Sequence, residues 1–154
     1  MQAANETNMA IWGGAMANAT LTVHAAGWLE GGLSFGYEKF INDVEALQTM
    51  AEICVKPSGN DSEIGFDALA EVEPGGHFFA TQHTMDRYQS AFYAPLVSDL
   101  TNFGAWTEAG AKTSTQRATD IWTKNIEDFQ DPVHCDTAAS NIDAFIEMRK
   151  QKGG

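Results

Sequence analysis

Basic side chains are scarce in this chain. Nine Lys and Arg stand against 21 Asp and Glu, a formal charge of −12. Binding to a phosphate backbone needs clustered Lys and Arg, so nucleic acid is excluded as a partner. Cysteine is sparser still. Cys54 and Cys135 lie far apart, which fits reduced thiols better than a disulfide framework. No apolar run reaches the roughly 20 residues of a membrane span. The opening MQAANETNMA has neither the basic region nor the apolar core of a secretory signal. These absences predict a cytoplasmic protein with no membrane contact.

Familiar chemical motifs are missing too. There is no G-x-G-x-x-G, no P-loop, no H-E-x-x-H, no C-x-x-C and no G-x-S-x-G elbow. A phosphate could still meet the free N–H groups of a helix start after the glycine-rich loop, but no fingerprint supports it. His77 and His83 invite a metal reading. Six positions apart on a helix, they would point to different faces. His134 and Cys135 are adjacent, which rarely brings two side chains to face each other. No metal is expected.

β-structure is the scarcest item of all. The chain has 154 residues, enough for one ordinary domain. Residues 2–17 read as a helix that Asn18 ends, with Gly13 and Gly14 marking close packing. Thr20–Ala25 reads as a strand ending in His24. A glycine-rich loop, 27–34, follows, with Ser34 as the cap of the next helix. That helix carries Phe40, Ile41, Val44, Leu47, Ala51 and Cys54 at helical spacing, with Glu38, Lys39, Asp43 and Glu45 mostly outward, and stops before Pro57 and Gly59. Beyond it the pattern is helical: a short helix to Val72 capped by Asp61 or Ser62, a turn at 73–79, a helix from about 84 to 93, a long one from 106 to 128, and a last one over 137–150. One strand alone leaves its backbone donors and acceptors unpaired, which buried structure does not tolerate. The chain reads as part of something larger.

Loop 27–34 is the richest stretch. Gly27, Gly31, Gly32 and Gly36 permit close backbone approach. Trp28, Phe35 and Tyr37 offer ring faces and Glu30 a charge, a combination that suits a methylated ammonium group, which has no conventional N–H to donate. Against this, Phe35 and Tyr37 at the head of an amphipathic helix also suit a core, and His24 suits a histidine satisfied by a carbonyl.

Several separated stretches, in order, resemble one family: QAANE, then HAAGWLEGG, SFGYE and PGGHFFATQHT, and later WTEAGAK and RATDIW. Together they resemble the C-terminal part of the trimethylamine methyltransferase family over nearly the whole chain. The resemblance implies an α/β fold: a C-terminal fragment of a TIM (β/α)8 barrel, holding its last βα unit within 1–57 and a mainly helical extension of the same domain over 58–154. Such barrels typically need about 250 residues. The resemblance also implies methyl transfer from a tertiary or quaternary amine to the Co(I) of a corrinoid. That cofactor is carried by a separate partner protein, and none is bound directly. His24, Trp28, Glu30, Phe35 and Tyr37 would lie near the substrate, and His77 and His83 would brace the barrel mouth. The rival expectation is a non-catalytic binding module that needs a companion chain, or copies of itself, to complete its sheet. A small metal-dependent hydrolase using His77 and His83 is a weaker third.

Overall fold

A computed structural model describes residues 1–131 and 135–153. Their internal contacts divide into two units, Met1–Trp122 and Thr123–Gly154. The second holds the end of one helix and all of another, α8, over Cys135–Gln151. His134 and Cys135 lie outside the residues whose side chains are described.

The first unit begins with α1, Gln2–Met16. Asn18 stops it by adopting a left-handed φ of 53°, so that Ala19 N–H reaches back to Gly14 O at 3.0 Å. This is the reversal with which helices commonly end. No residue of α1 is buried.

Thr20–Ala25, expected as a strand, has no strand pairing here. Leu21 and Val23 are 77% and 64% exposed. The reason is physical: β-propensity describes fit to a neighbouring strand, and these residues have none. The strands that do form are two residues each. Trp28–Leu29 (β1) pairs antiparallel with Ser34–Phe35 (β2), Trp28 opposite Phe35. A 3-10 turn, Glu30–Gly32, joins them. The glycine-rich loop is therefore itself a small hairpin, and Ser34 sits in β2 and does not cap a helix.

Helix α2, Tyr37–Ile53, is the main support of the first unit. Its Ile41 packs with Val97 and with Ala118 of α7 (Ser114–Glu127), flanked by Ile121 and Trp122. Two carboxylates expected on the solvent face turn inward: Asp43 is 3% and Glu45 7% exposed. Each is drawn in by backbone donors of another segment. Glu45 accepts the Val97 and Ser98 N–H groups and the Ser98 hydroxyl. Burial of Glu45 raises its pKa, but these bonds outweigh burial and hold the carboxyl below the ordinary range. Cys54, expected among packed residues, is exposed.

Four short or medium helices complete this picture. Asn60 caps α3 (Asp61–Ile64) through Glu63 N–H, in place of Asp61 or Ser62. Gly65, at φ 70°, separates it from α4 (Phe66–Glu71). Thr81 caps α5 (Gln82–Arg87), which ends earlier than its periodicity predicts. The long helix expected over 106–128 is two. The first, α6 (Phe103–Glu108), is parted from α7 by Gly110 and Ala111, both at positive φ. No helix among the described residues is long and apolar enough to cross a membrane.

Candidate functional site

A pocket of about 340 Å³ lies between α1, the β1–β2 hairpin and the head of α2. His24, Trp28 and Glu30 line it on the hairpin side, with the backbone of Gly31 and Gly32. Lys39 closes it from α2, and Glu6 and Thr7 from α1. Three of the five residues predicted for a methylammonium site are thus brought together.

Their placement comes from an unusual run of backbone. His24, Gly27, Glu30, Gly31 and Gly32 all have φ between 52° and 94°. For Gly this is unstrained. For His24 and Glu30 it is a costly conformation, kept only where surroundings enforce it. The His24 ring lies 4.3 Å from the Trp28 ring, centroid to centroid, tilted by 38°. Trp28 in turn stands edge-on to Phe35, at 6.5 Å and 89°. Glu30 accepts the Ser34 hydroxyl at 3.2 Å. Trp28 remains 39% exposed, so part of its ring surface stays open to a ligand.

Phe35 and Tyr37 do not line this pocket. Phe35 packs edge-on to Tyr37 at 6.0 Å, and Tyr37 stacks on Trp122 at 5.0 Å. The two rings carry contact from the hairpin to α7. Beside them Glu38 accepts Trp122 Nε1–H at 2.8 Å and the Thr119 hydroxyl at 3.0 Å. These bonds, that of Trp122 foremost, hold its carboxyl below the ordinary range.

A polar network that the sequence reading missed fixes the pocket floor. Lys39 Nζ donates to both carboxylate oxygens of Asp43 and, at 2.6 Å, to Thr7 Oγ1. Asp43 also accepts Gly27 N–H at 2.8 Å. One ion pair therefore ties together α1, α2 and the loop. The i, i+4 spacing of Lys39 and Asp43 was visible, but such pairs usually lie on a solvated face.

His77 and His83 fall elsewhere. His77 lies against Phe79, ring centroids 5.2 Å apart. His83 Nε2 is buried without a hydrogen-bond partner, in the lee of Gly65, where a Cβ would stand 3.1 Å from it. Among the described residues no group of three or more His, Cys, Asp or Glu is placed to hold a metal.

The family model described as trimethylamine methyltransferase matches residues 1–154. A glycine betaine methyltransferase of Desulfitobacterium hafniense (strain Y51) is 28% identical over 153 residues, covering 99% of this chain and 32% of that protein. A trimethylamine methyltransferase of the same species (strain DSM 10664 / DCB-2) is 26% identical over 153 residues, covering 99% and 30%. A trimethylamine methyltransferase of Methanosarcina acetivorans is 28% identical over 121 residues, covering 77% and 24%. The chain spans about a third of the length of the two Desulfitobacterium relatives.

Proposed function

Because this chain belongs to the trimethylamine methyltransferase family, we propose that it is the C-terminal portion of an enzyme that moves a methyl group from a tertiary or quaternary amine, of the trimethylamine or glycine betaine type, to the Co(I) of a corrinoid on a partner protein. The observation that carries this reading is the pocket that His24, Trp28 and Glu30 line together, with the His24 and Trp28 rings 4.3 Å apart. Ring faces and a carboxylate attract an N-methylammonium by its diffuse charge, without N–H bonds. The partner's corrinoid, held outside this chain, would supply the nucleophile for the methyl carbon. The chain's own residues bind and orient the donor, and holding reacting groups in line is a large part of such catalysis. The C–N electron pair returns to nitrogen as the methyl leaves. A nitrogen that starts cationic therefore departs as a neutral amine, and a site that favours the cation favours the reactive form.

The fold proposal follows the same line. Thr20–Ala25 becomes the eighth strand of a (β/α)8 barrel when flanked by neighbours, with α1 before it and α2 after it. The exposure of Leu21 and Val23 supports this. The pocket then lies at the C-terminal end of that strand, where barrel enzymes keep their sites. The same unpaired segment also favours the second reading, a non-catalytic module completed by a companion chain.

The test has two arms. Titration calorimetry with tetramethylammonium should show binding to this chain. Trp28→Ala should weaken it roughly 2- to 30-fold, the range of a cation–π contact between exposed and desolvated. Unchanged affinity would remove the aromatic wall from the site. Methyl transfer from trimethylamine to a reduced corrinoid protein should be absent for this chain alone. It should appear when the family's remaining barrel portion is joined to it. No transfer from the joined protein, with amine binding intact, would favour the binding module.

A further inference from the structure

The charges around this pocket do not balance. Glu6 and Glu30 both line it, and Lys39 is the single Lys or Arg that does. Lys39 is already committed. An ammonium has three N–H donors, and Lys39 directs its own to the two oxygens of Asp43 and to Thr7 Oγ1. The side chains of this pair are 12% and 4% exposed, so each neutralises the other away from solvent.

Glu6 and Glu30 have no such partner. Among the described residues the Glu6 carboxylate accepts the Gln2 side-chain amide, at 2.7 Å, and the Glu30 carboxylate the Ser34 hydroxyl. Neither forms an ion pair among the described residues. What the pocket offers a ligand is two uncompensated carboxylates against a His24–Trp28 wall.

Resting on the reading of this pocket as an N-methylammonium site, we infer that Glu6 and Glu30 are specificity-determining residues, which select methylated amines of net positive charge and reject zwitterions that carry their own carboxylate. A betaine brings its carboxylate within a few bonds of the ammonium. Once the ammonium is against the ring wall, that carboxylate lies among like charges, and among the described residues no uncommitted Lys or Arg lines the pocket to answer it. Like charges at short range repel even where both are exposed, and salt screens that repulsion. Trimethylammonium, tetramethylammonium and choline have no such conflict.

The experiment is calorimetry on this chain with tetramethylammonium, choline and glycine betaine, at low and moderate salt. Glu6→Gln, Glu30→Gln and the double variant follow, with circular dichroism as the check on folding. Both carboxylates are exposed, so the amide variants keep the fold. The two cations should bind at least tenfold more tightly than glycine betaine. The gap should narrow with salt and fall below about threefold in the double variant. Betaine binding as tight as choline, or a gap untouched in the double variant, would overturn the selectivity while leaving the methylammonium site standing. Binding of none of the three would overturn that site and this inference together.

Discussion

Asp43 holds Gly27: its carboxylate, 3% exposed, accepts the Gly27 N–H at 2.8 Å across 16 residues of chain. The same carboxylate pairs with Lys39, so the loop that shapes the pocket is anchored to an ion pair. Removing one partner of a buried pair costs more than the pair contributes, because the other charge is stranded. Asp43→Ala should destabilise the first unit by about 3 kcal/mol. Asp43→Asn, which keeps an acceptor for Gly27, should cost less. Urea unfolding followed by circular dichroism measures both, and equal losses would show that the Gly27 bond contributes nothing.

Gly27 cannot accept a side chain. Its φ is 84°, and a Cβ there would stand 2.3 Å from the Phe35 ring. The left-handed conformation alone costs an L-residue about 1–2 kcal/mol, and displacing Phe35 adds to it. Gly27→Ala should cost about 2 kcal/mol or more and expose the hairpin. Amide hydrogen exchange at Gly36, whose N–H bonds Gly27 O at 3.0 Å, should quicken markedly. Gly31→Ala has open space around its Cβ position and carries only the conformational cost.

Glu45 is the link between α2 and the segment before α6. Its carboxylate serves two backbone N–H groups, of Val97 and Ser98, beside the Ile41–Val97–Ala118 core. Glu45→Ala leaves the N–H of Val97, a residue 3% exposed, unanswered, while exposed Ser98 can turn to water. A drop of about 1–3 kcal/mol in unfolding free energy is expected. Glu52→Ala, on the exposed side of the same helix, should change it by less than about 0.5 kcal/mol. Similar losses for the two variants would contradict this assignment.

Acid should loosen the turn at Asp99. Hydrogen bonds from the Thr101 hydroxyl and backbone, then from Arg117, lower its pKa from 3.8 to about 2. A carboxyl depressed on folding lends stability that is complete above its unfolded value and vanishes as pH falls through the folded one. The loss therefore falls between about pH 4 and pH 2. Asp99→Asn should flatten the fall in melting temperature across that window and leave the profile above pH 5 parallel to that of the parent chain. An unchanged slope below pH 4 would exclude Asp99 as its source.

Helices α1 and α2 were legible because their signals are local: Asn18 stops one, and the Phe40–Ile41–Val44 periodicity sets the other. Thr20–Val23 forms no strand here because a run of strand formers states a preference that only a neighbour can realise. Asp43 and Glu45 misled for a related reason. A charge pattern cannot show that distant backbone N–H groups will arrive beside a helix. Gly110, near the start of the long helix expected over 106–128, marks its break. His24, Trp28 and Glu30 were found together because loop chemistry is carried by residue type. Lys39 and Glu6 escaped because their part depends on how α1 packs against α2.

The Trp122 indole is bonded to Glu38 and stacked on Tyr37, so it sits where α7 docks onto α2. Trp28 belongs to the pocket, a different region of the first unit. Of the chain's four tryptophans, these two have separate duties: with Trp12 and Trp106 replaced by Phe, quenching of Trp28 reports occupancy of the pocket, while a red shift of Trp122 reports parting of the two helices.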